Sequence, residues 1–186
     1  DIYAIPATGG KAQPLTQGMA WNMQPRFSPN GKQIAFISDR DGGDNLWLMD
    51  ADGTNLQQVS KEKRDLVHTP NWSPEGDYIA ARRGFVGARS IAAGEIWLYH
   101  KSGGSGYQLK KKIGGEQAQK NISEPAFSPD GRYVYYSIDS TPGTVWQYNK
   151  NPTGQIFTIR RLDRETGKEE TIVSGAGGNF ITYFKK

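Results

Sequence analysis

Short apolar runs, each broken by glycine, proline, asparagine or aspartate, set the pattern of this chain. Gln33 to Ser38 (QIAFIS), Asn45 to Asp50 (NLWLMD) and Glu95 to His100 (EIWLYH) are examples. Runs of this length and residue type, punctuated in this way, predict β-strands joined by tight turns. A helix needs apolar residues at i, i+3, i+4 and i+7 over several turns, and no stretch keeps that spacing. Lys61 to Val67 predicts one helical turn at most.

Three segments align without gaps: Pro25 to Phe36 (PRFSPNGKQIAF), Pro70 to Ala81 (PNWSPEGDYIAA) and Pro125 to Tyr136 (PAFSPDGRYVYY). Each reads Pro, any residue, aromatic, Ser, Pro, acidic or Asn, Gly, then an apolar run. Their starts are 45 and then 55 residues apart, close to the length of one four-stranded repeat unit, with the later copy enlarged. In the turn Ser28 to Gly31, Pro29 presets φ, Gly31 accepts positive φ and the Asn30 side chain bonds nearby backbone. Three copies of that turn predict three equivalent hairpins.

A second element, Trp in an apolar run followed by a glycine-containing turn, follows at Asn45 to Gly53 and Glu95 to Gly104. Phe157 to Gly167 is its third copy, without the Trp, and Asp1 to Gly10 (DIYAIPATGG) matches this element rather than the first. The chain is therefore expected to begin in mid-repeat. Short closing strands are expected at Gln13 to Thr16, Leu56 to Ser60, Tyr107 to Lys111 and Glu170 to Ser174. The first whole unit is then Gln24 to Ser28, Gln33 to Ser38, Asn45 to Asp50 and Leu56 to Ser60.

Sheets of this kind bury both faces only by stacking on their neighbours. The predicted fold is all-β, a β-propeller of four-stranded blades that is incomplete, with about three whole blades and partial blades at the termini. The units are residues 1–18 (partial), 19–61, 62–113, 114–175 and 176–186 (partial). Trp47, Trp97, Phe27, Trp72, Phe127 and the apolar strand residues are the expected core. Open end faces would have to be covered, by a second copy in a homo-oligomer or by the terminal strand 179–184 adding to the first half blade.

Composition narrows the chemistry. The 186 residues carry 23 Lys and Arg against 19 Asp and Glu, a net charge of +4, with no cysteine and only two histidines, His68 and His100. Thiolate nucleophiles, cysteine-bound zinc and multi-histidine metal sites are excluded or hard to build. No apolar run is long enough to span a bilayer as a helix and no leader pattern opens the chain, so neither a membrane span nor a signal peptide is expected. Asp39, Asp41 and Asp44 resemble a calcium loop in spacing, but glycine is missing at its sixth position, and a connecting turn is expected. Gly175 to Phe180 lacks the last glycine and the helix of a dinucleotide fingerprint. No cofactor and no metal are expected.

Basic residues gather at Lys110 to Lys112 and at Arg82, Arg83 and Arg89. Nucleic-acid binding would want a larger excess and aromatics on the same exposed face, so no nucleic-acid partner is expected. Two enlarged loops, Arg82 to Ala93 and Asp139 to Gln155, occupy equivalent places between the second and third strands of their units. They should emerge on one face, which makes Arg82, Arg83, Arg89, Trp146 and Tyr148 candidate interaction residues. The bland alternative is two solvated insertions.

The aromatic-Ser-Pro-Asp-Gly turn followed by an Ile-Trp strand resembles the TolB-type β-propeller repeat. Asp1 through Pro29, Gly94 to Gly104 (GEIWLYHKSGG) and Glu124 to Ser137 (EPAFSPDGRYVYYS) are similar to the propeller that leads large bacterial amidohydrolase-type proteins. The resemblance implies export to the periplasm or beyond and a metal-dependent hydrolase barrel outside this chain. It also implies six or seven blades in the intact parent, hence that this chain is a fragment. The reading that follows is a non-catalytic binding module whose partner is a protein or the missing hydrolase domain. The alternatives are an accessory role to that hydrolase, and a stand-alone lyase or peptidase-type propeller with a site on its axis involving Arg83 or His100.

Overall fold

The computed structural model describes residues 1–85, 94–113, 121–141 and 156–177, and every helix-or-strand element among them is a strand. The first sheet pairs β1 (Tyr3–Ala4) with β2 (Gln13–Pro14). The second holds β3 (Asn22–Phe27), β4 (Gln33–Ser38), β5 (Asn45–Asp50) and β6 (Gln57–Gln58). The third holds β7 (Asp65–Trp72), β8 (Tyr78–Phe85), β9 (Gly94–His100) and β10 (Tyr107–Lys110). The fourth holds β11 (Ile122–Phe127), β12 (Tyr133–Asp139), β13 (Ile156–Asp163) and β14 (Glu169–Gly177). All pairing is antiparallel between strands consecutive in the chain.

These are the blades of a partial propeller. The leading strands β3, β7 and β11 pack on one another in sequence, so each sheet points its first strand inward. Successive residues of a strand face opposite sides of its sheet, and here both sides are filled. Ile34, Phe36 and Met49 cluster with Ile2, while Ala35, Ile37, Leu46 and Leu48 cluster with Val67, Ile79, Ala81 and Tyr99 of the next sheet. Ile96 then meets Ile122, Tyr136, Ile138 and Leu162. A fully covered Ile, Leu or Phe contributes about 1.5–3 kcal/mol, which explains why these runs are apolar on both faces instead of alternating.

The repeated turns form as expected. The Gly31, Gly76 and Gly131 amides donate to the carbonyls of Ser28, Ser73 and Ser128 at 2.8–2.9 Å, with φ between 69° and 76° at the three glycines. The serine hydroxyls accept from the Gln33, Tyr78 and Tyr133 amides. Polar bonds also cross between sheets: Trp72 Nε1 donates to the Arg26 carbonyl at 3.0 Å, and the Val67 amide to the Asp44 carbonyl at 2.8 Å.

Three findings correct the sequence expectations. Phe27 is 61% exposed, whereas its repeat equivalent Trp72 is 7% exposed. Trp72 leans on β3 of the preceding sheet, whereas among the described residues the sheet preceding Phe27 has two strands and no inner one to lean on. Lys61 to Val67 contains no helical turn: residues from Asp65 onward already belong to β7, a strand long enough to include His68. Arg82 and Arg83 lie in β8, paired in register with Ile96 and Glu95 of β9, not in a loop. Of the other expectations, Arg89, Trp146, Tyr148 and the strand 179–184 lie outside the described residues.

A feature unforeseen in the sequence recurs in every inner strand. Gln24, Thr69 and Glu124 each precede a proline, each take φ of 52–56°, and each sit where the register with the second strand shifts. This bulge re-aims the half of the strand that carries His68.

Candidate interaction face

Up-and-down connectivity sorts the connections onto two ends. The Ser-Pro turns and the turns after the third strands lie together, as hydrogen bonds from Ala51 to Lys32, Lys101 to Asp77 and Arg164 to Arg132 show. Connections between second and third strands share the other end with the links from one sheet to the next. There Asp39 bonds Trp21, and Asn45 bonds Glu62. Both enlarged segments, 86–93 and 142–155, are flanked by strand ends at this second end.

The two ends differ chemically. The turn end repeats three closed, self-bonded turns. On the loop end the second and third sheets each carry a set of charged and aromatic groups, whereas the fourth sheet gathers its arginines at the turn end, Arg132 on Asp163, Arg161 over the Tyr133 ring and Arg164 over the Phe127 ring. Arg83 is the centre of the third sheet's set: its guanidinium reaches Asp65 at 2.7 Å and Glu62 at 3.0 Å, and its Cζ lies 4.4 Å from the Trp97 ring centroid. Trp97 Nε1 in turn donates to Glu95 at 2.8 Å. Burial pushes the Glu62 carboxyl above its ordinary range despite the pull of Arg83. Burial raises the Tyr99 phenol as well, with the Glu62 charge adding to it, and the Tyr99 hydroxyl donates to Glu62 at 3.3 Å.

The second sheet solves the same problem with Arg40. Its Cζ lies 4.9 Å from the Trp47 centroid and 5.3 Å from that of Phe36, while Nη2 donates to Asn22 at 2.7 Å. Trp47 and Trp97 are repeat equivalents, so a guanidinium over the third-strand tryptophan is a recurring device worth about 0.5–2 kcal/mol. Burial lowers the Arg40 and Arg82 guanidinium values, Glu124 opposing this at Arg82. Trp21 and Met19 are strongly exposed beside this set.

His68 faces Asp44 of the preceding sheet, Nε2 to Oδ2 3.1 Å. Burial and the neighbouring Arg82 hold its imidazole below the ordinary value, against the attraction of Asp44. The three aspartates with calcium-like spacing do not converge: Asp39 accepts from the Trp21 amide, Asp41 from Gln58, and Asp44 meets His68. Among the described residues no group of three or more His, Asp and Glu could hold a metal ion. His100 sits at the turn end, bonded to Ser102 at 2.6 Å and edge-on to Tyr78. Arg83 pairs with Glu95 at the far end of β9, five residues away, or about 17 Å along a strand. The two residues named for an axial site are thus separated. Lys110 bridges to Glu169 of the next sheet at 2.6 Å. No helix is long and apolar enough to cross a membrane among the described residues.

Arg40, Glu62, Asp65 and Trp21 were not singled out from sequence. A signal existed for Arg40: like Arg83, it follows the apolar run of a second strand whose unit carries a third-strand tryptophan.

Comparison with known proteins agrees with this geometry. Residues 1–141 match the family model described as the TolB beta propeller domain. The uncharacterized peptidase YuxL of Bacillus subtilis is 29% identical over 167 residues, covering 76% of this chain and 25% of YuxL. The TolB structure from Acinetobacter baumannii superposes with a TM-score of 0.64 at 18% identity, over 92% of this chain and 37% of that one. The tricorn protease structure does so with a TM-score of 0.58 at 14% identity, over 88% of this chain and 14% of that one. The chain spans between about a tenth and a half of the length of the first curated relatives it matches. With its repeated Ser-Pro-x-Gly hairpins set in radially stacked four-stranded sheets, the chain belongs to the TolB β-propeller domain family.

Proposed function

We propose that this chain is a non-catalytic interaction module that presents its loop end to a protein partner. The carrying observation is the pair of arginine–tryptophan clusters at the loop end of adjacent sheets, Arg40 over Trp47 beside the exposed Trp21, and Arg83 over Trp97 with Glu62 and Asp65. Binding surfaces are commonly built on connections held by a rigid scaffold, and the two enlarged connections, 86–93 and 142–155, are flanked by strand ends at the loop end. Arginine and tryptophan are also the residue types that dominate binding energy at interfaces.

A second reading is favoured by the relatives. YuxL is named as a peptidase and is about four times longer than the aligned region, and the tricorn protease chain is longer still. On that reading the partner is a hydrolase domain, whether of a peptidase or of an amidohydrolase, whose substrate access the propeller shapes.

Photo-crosslinking tests both. A photoreactive residue is placed at the exposed loop-end positions Asp41 and Arg64, or at the turn-end positions Asn30 and Glu75, and adducts formed in producing cells are mapped by mass spectrometry. One partner polypeptide captured from 41 and 64, and not from 30 and 75, is expected. Equal capture from both ends, or capture from the turn end alone, would contradict the proposal, and adducts to a hydrolase would select the second reading.

A further inference from the structure

Asn30 is the only asparagine of the sequence that precedes a glycine, and it stands at the corner of the first Ser-Pro turn. This is the least hindered setting for an intramolecular reaction of asparagine, because no side chain on the next residue crowds its amide nitrogen. The Gly31 nitrogen, once solvent has removed its proton, attacks Asn30 Cγ. The side-chain nitrogen takes a proton back from solvent and leaves as ammonia, and a five-membered succinimide remains. Water then opens the ring at one of its two carbonyls. One opening gives aspartate; the other gives isoaspartate, in which the main chain runs through Cβ.

The closed turn opposes the first of these steps. The Gly31 N–H is donated to the Ser28 carbonyl at 2.8 Å, so the proton that must leave is held inside the turn. Asn30 Oδ1 accepts from the Ser28 hydroxyl at 2.8 Å and from the Lys32 amide at 3.0 Å, and the Ser28 oxygen accepts in turn from the Gln33 amide. The side chain is therefore fixed from two sides although Asn30 is exposed. Those two donors also polarise the Cγ carbonyl, so a turn that admitted the attack would speed it. Closure and polarisation thus predict opposite changes of rate on folding.

One of the two products already exists in the third copy of the turn. There Asp130 Oδ1 accepts from the Ser128 hydroxyl and from the Arg132 amide, the same pair of bonds that Asn30 makes, and the two hold the Asp130 carboxyl below its ordinary range. Glu75 puts a carboxylate at the same place in the second turn. Conversion of Asn30 to aspartate adds one negative charge to the turn end and keeps the turn's bonds. Isoaspartate instead lengthens the main chain by one carbon between Ser28 and Gly31, a span closed by one backbone bond, and the turn cannot keep that bond in its present geometry.

We propose that Asn30 is a modification site controlled by its own turn: it is protected while the Ser28–Gly31 bond is closed, converts when the turn opens, and as aspartate refits the turn. To test this, the full chain is incubated at mildly alkaline pH, either native or unfolded in urea, and digested briefly with trypsin. Arg26 and Lys32 bound a peptide of residues 27–32, whose amide, aspartate and isoaspartate forms are resolved by chromatography and mass spectrometry. Conversion is expected to be at least about tenfold slower in the native chain than in urea. Pro29→Ala, which frees φ at the turn, should speed conversion of the native chain about two- to fivefold and leave the rate in urea unchanged. Asn30→Asp should match the parent chain in its urea midpoint. A native rate equal to or above the rate in urea, conversion in neither state, no response to Pro29→Ala, or a lowered midpoint for Asn30→Asp would overturn the proposal.

Discussion

Phe27 and Trp72 occupy the same place in two copies of one repeat, and the account makes their stability contributions unequal. Trp72 is 7% exposed and its Nε1 donates to the Arg26 carbonyl at 3.0 Å. Replacing it with alanine removes a covered aromatic side chain and an inter-sheet hydrogen bond, together about 3–5 kcal/mol. Phe27 keeps only about two fifths of its surface covered, so Phe27→Ala should cost about 1 kcal/mol. Urea unfolding followed by far-ultraviolet circular dichroism avoids reading the loss of a tryptophan as unfolding. With a slope of about 2 kcal/mol per molar urea, the midpoint should fall by about 1.5–2.5 M for Trp72→Ala and by about 0.5 M for Phe27→Ala. Equal falls, or a larger fall at position 27, would refute the argument that burial at this position is conferred by the preceding sheet.

Arg83→Ala leaves Glu62 and Asp65 facing each other without their shared guanidinium and uncovers Trp97. It should destabilise the chain by about 1–3 kcal/mol, with Arg83→Lys recovering part of the loss because it restores the charge but not the fork, as measured by the same urea titration. Gly53 has φ of 89°, and a Cβ there would come within 2.7 Å of the Leu15 carbonyl oxygen. Gly53→Ala should therefore cost at least about 1–2 kcal/mol and speed amide exchange at Leu15, whose strand it would push away. His68 is held below its unfolded value of about 6.5, so the unfolded chain binds a proton that the folded chain does not. Its contribution is present above about pH 6.5 and is lost as pH falls through the depressed folded value. Thermal midpoints at pH 8 and pH 5 should accordingly differ less in His68→Gln than in the parent chain.

The repeat was legible because its turn chemistry is stereotyped: Ser28, Pro29 and Gly31 recur as Ser73, Pro74 and Gly76, and as Ser128, Pro129 and Gly131. The strands β4 and β5 coincide with the apolar runs that predicted them. Burial was less legible, because it belongs to pairs of sheets rather than to a position in one sheet; Phe27 and Trp72 have the same local pattern and opposite exposure. Arg82 and Arg83 read as loop because two adjacent charges interrupt an apolar run. In the fold Arg83 faces Asp65 of β7 and Glu62 of the link between sheets, and Arg82 faces the field of Glu124. The left-handed residues Gln24, Thr69 and Glu124 gave no propensity signal, although each stands before the repeat proline. The Arg83 cluster escaped for a related reason: Glu62 lies in a polar link whose composition is that of any loop, and Asp65 opens β7 directly after that link.

The most direct test of the radial stacking uses the ion pair between outer strands of successive sheets, Lys110 Nζ to Glu169 Oε1 at 2.6 Å. Zero-length carbodiimide coupling converts such a contact into an amide that peptide mass spectrometry locates. The account predicts a link between Lys110 and Glu169, together with the link between Lys101 and Asp77 inside the third sheet, paired at 2.8 Å. Coupling of Lys110 to carboxylates of the second sheet instead, with none to Glu169, would contradict it.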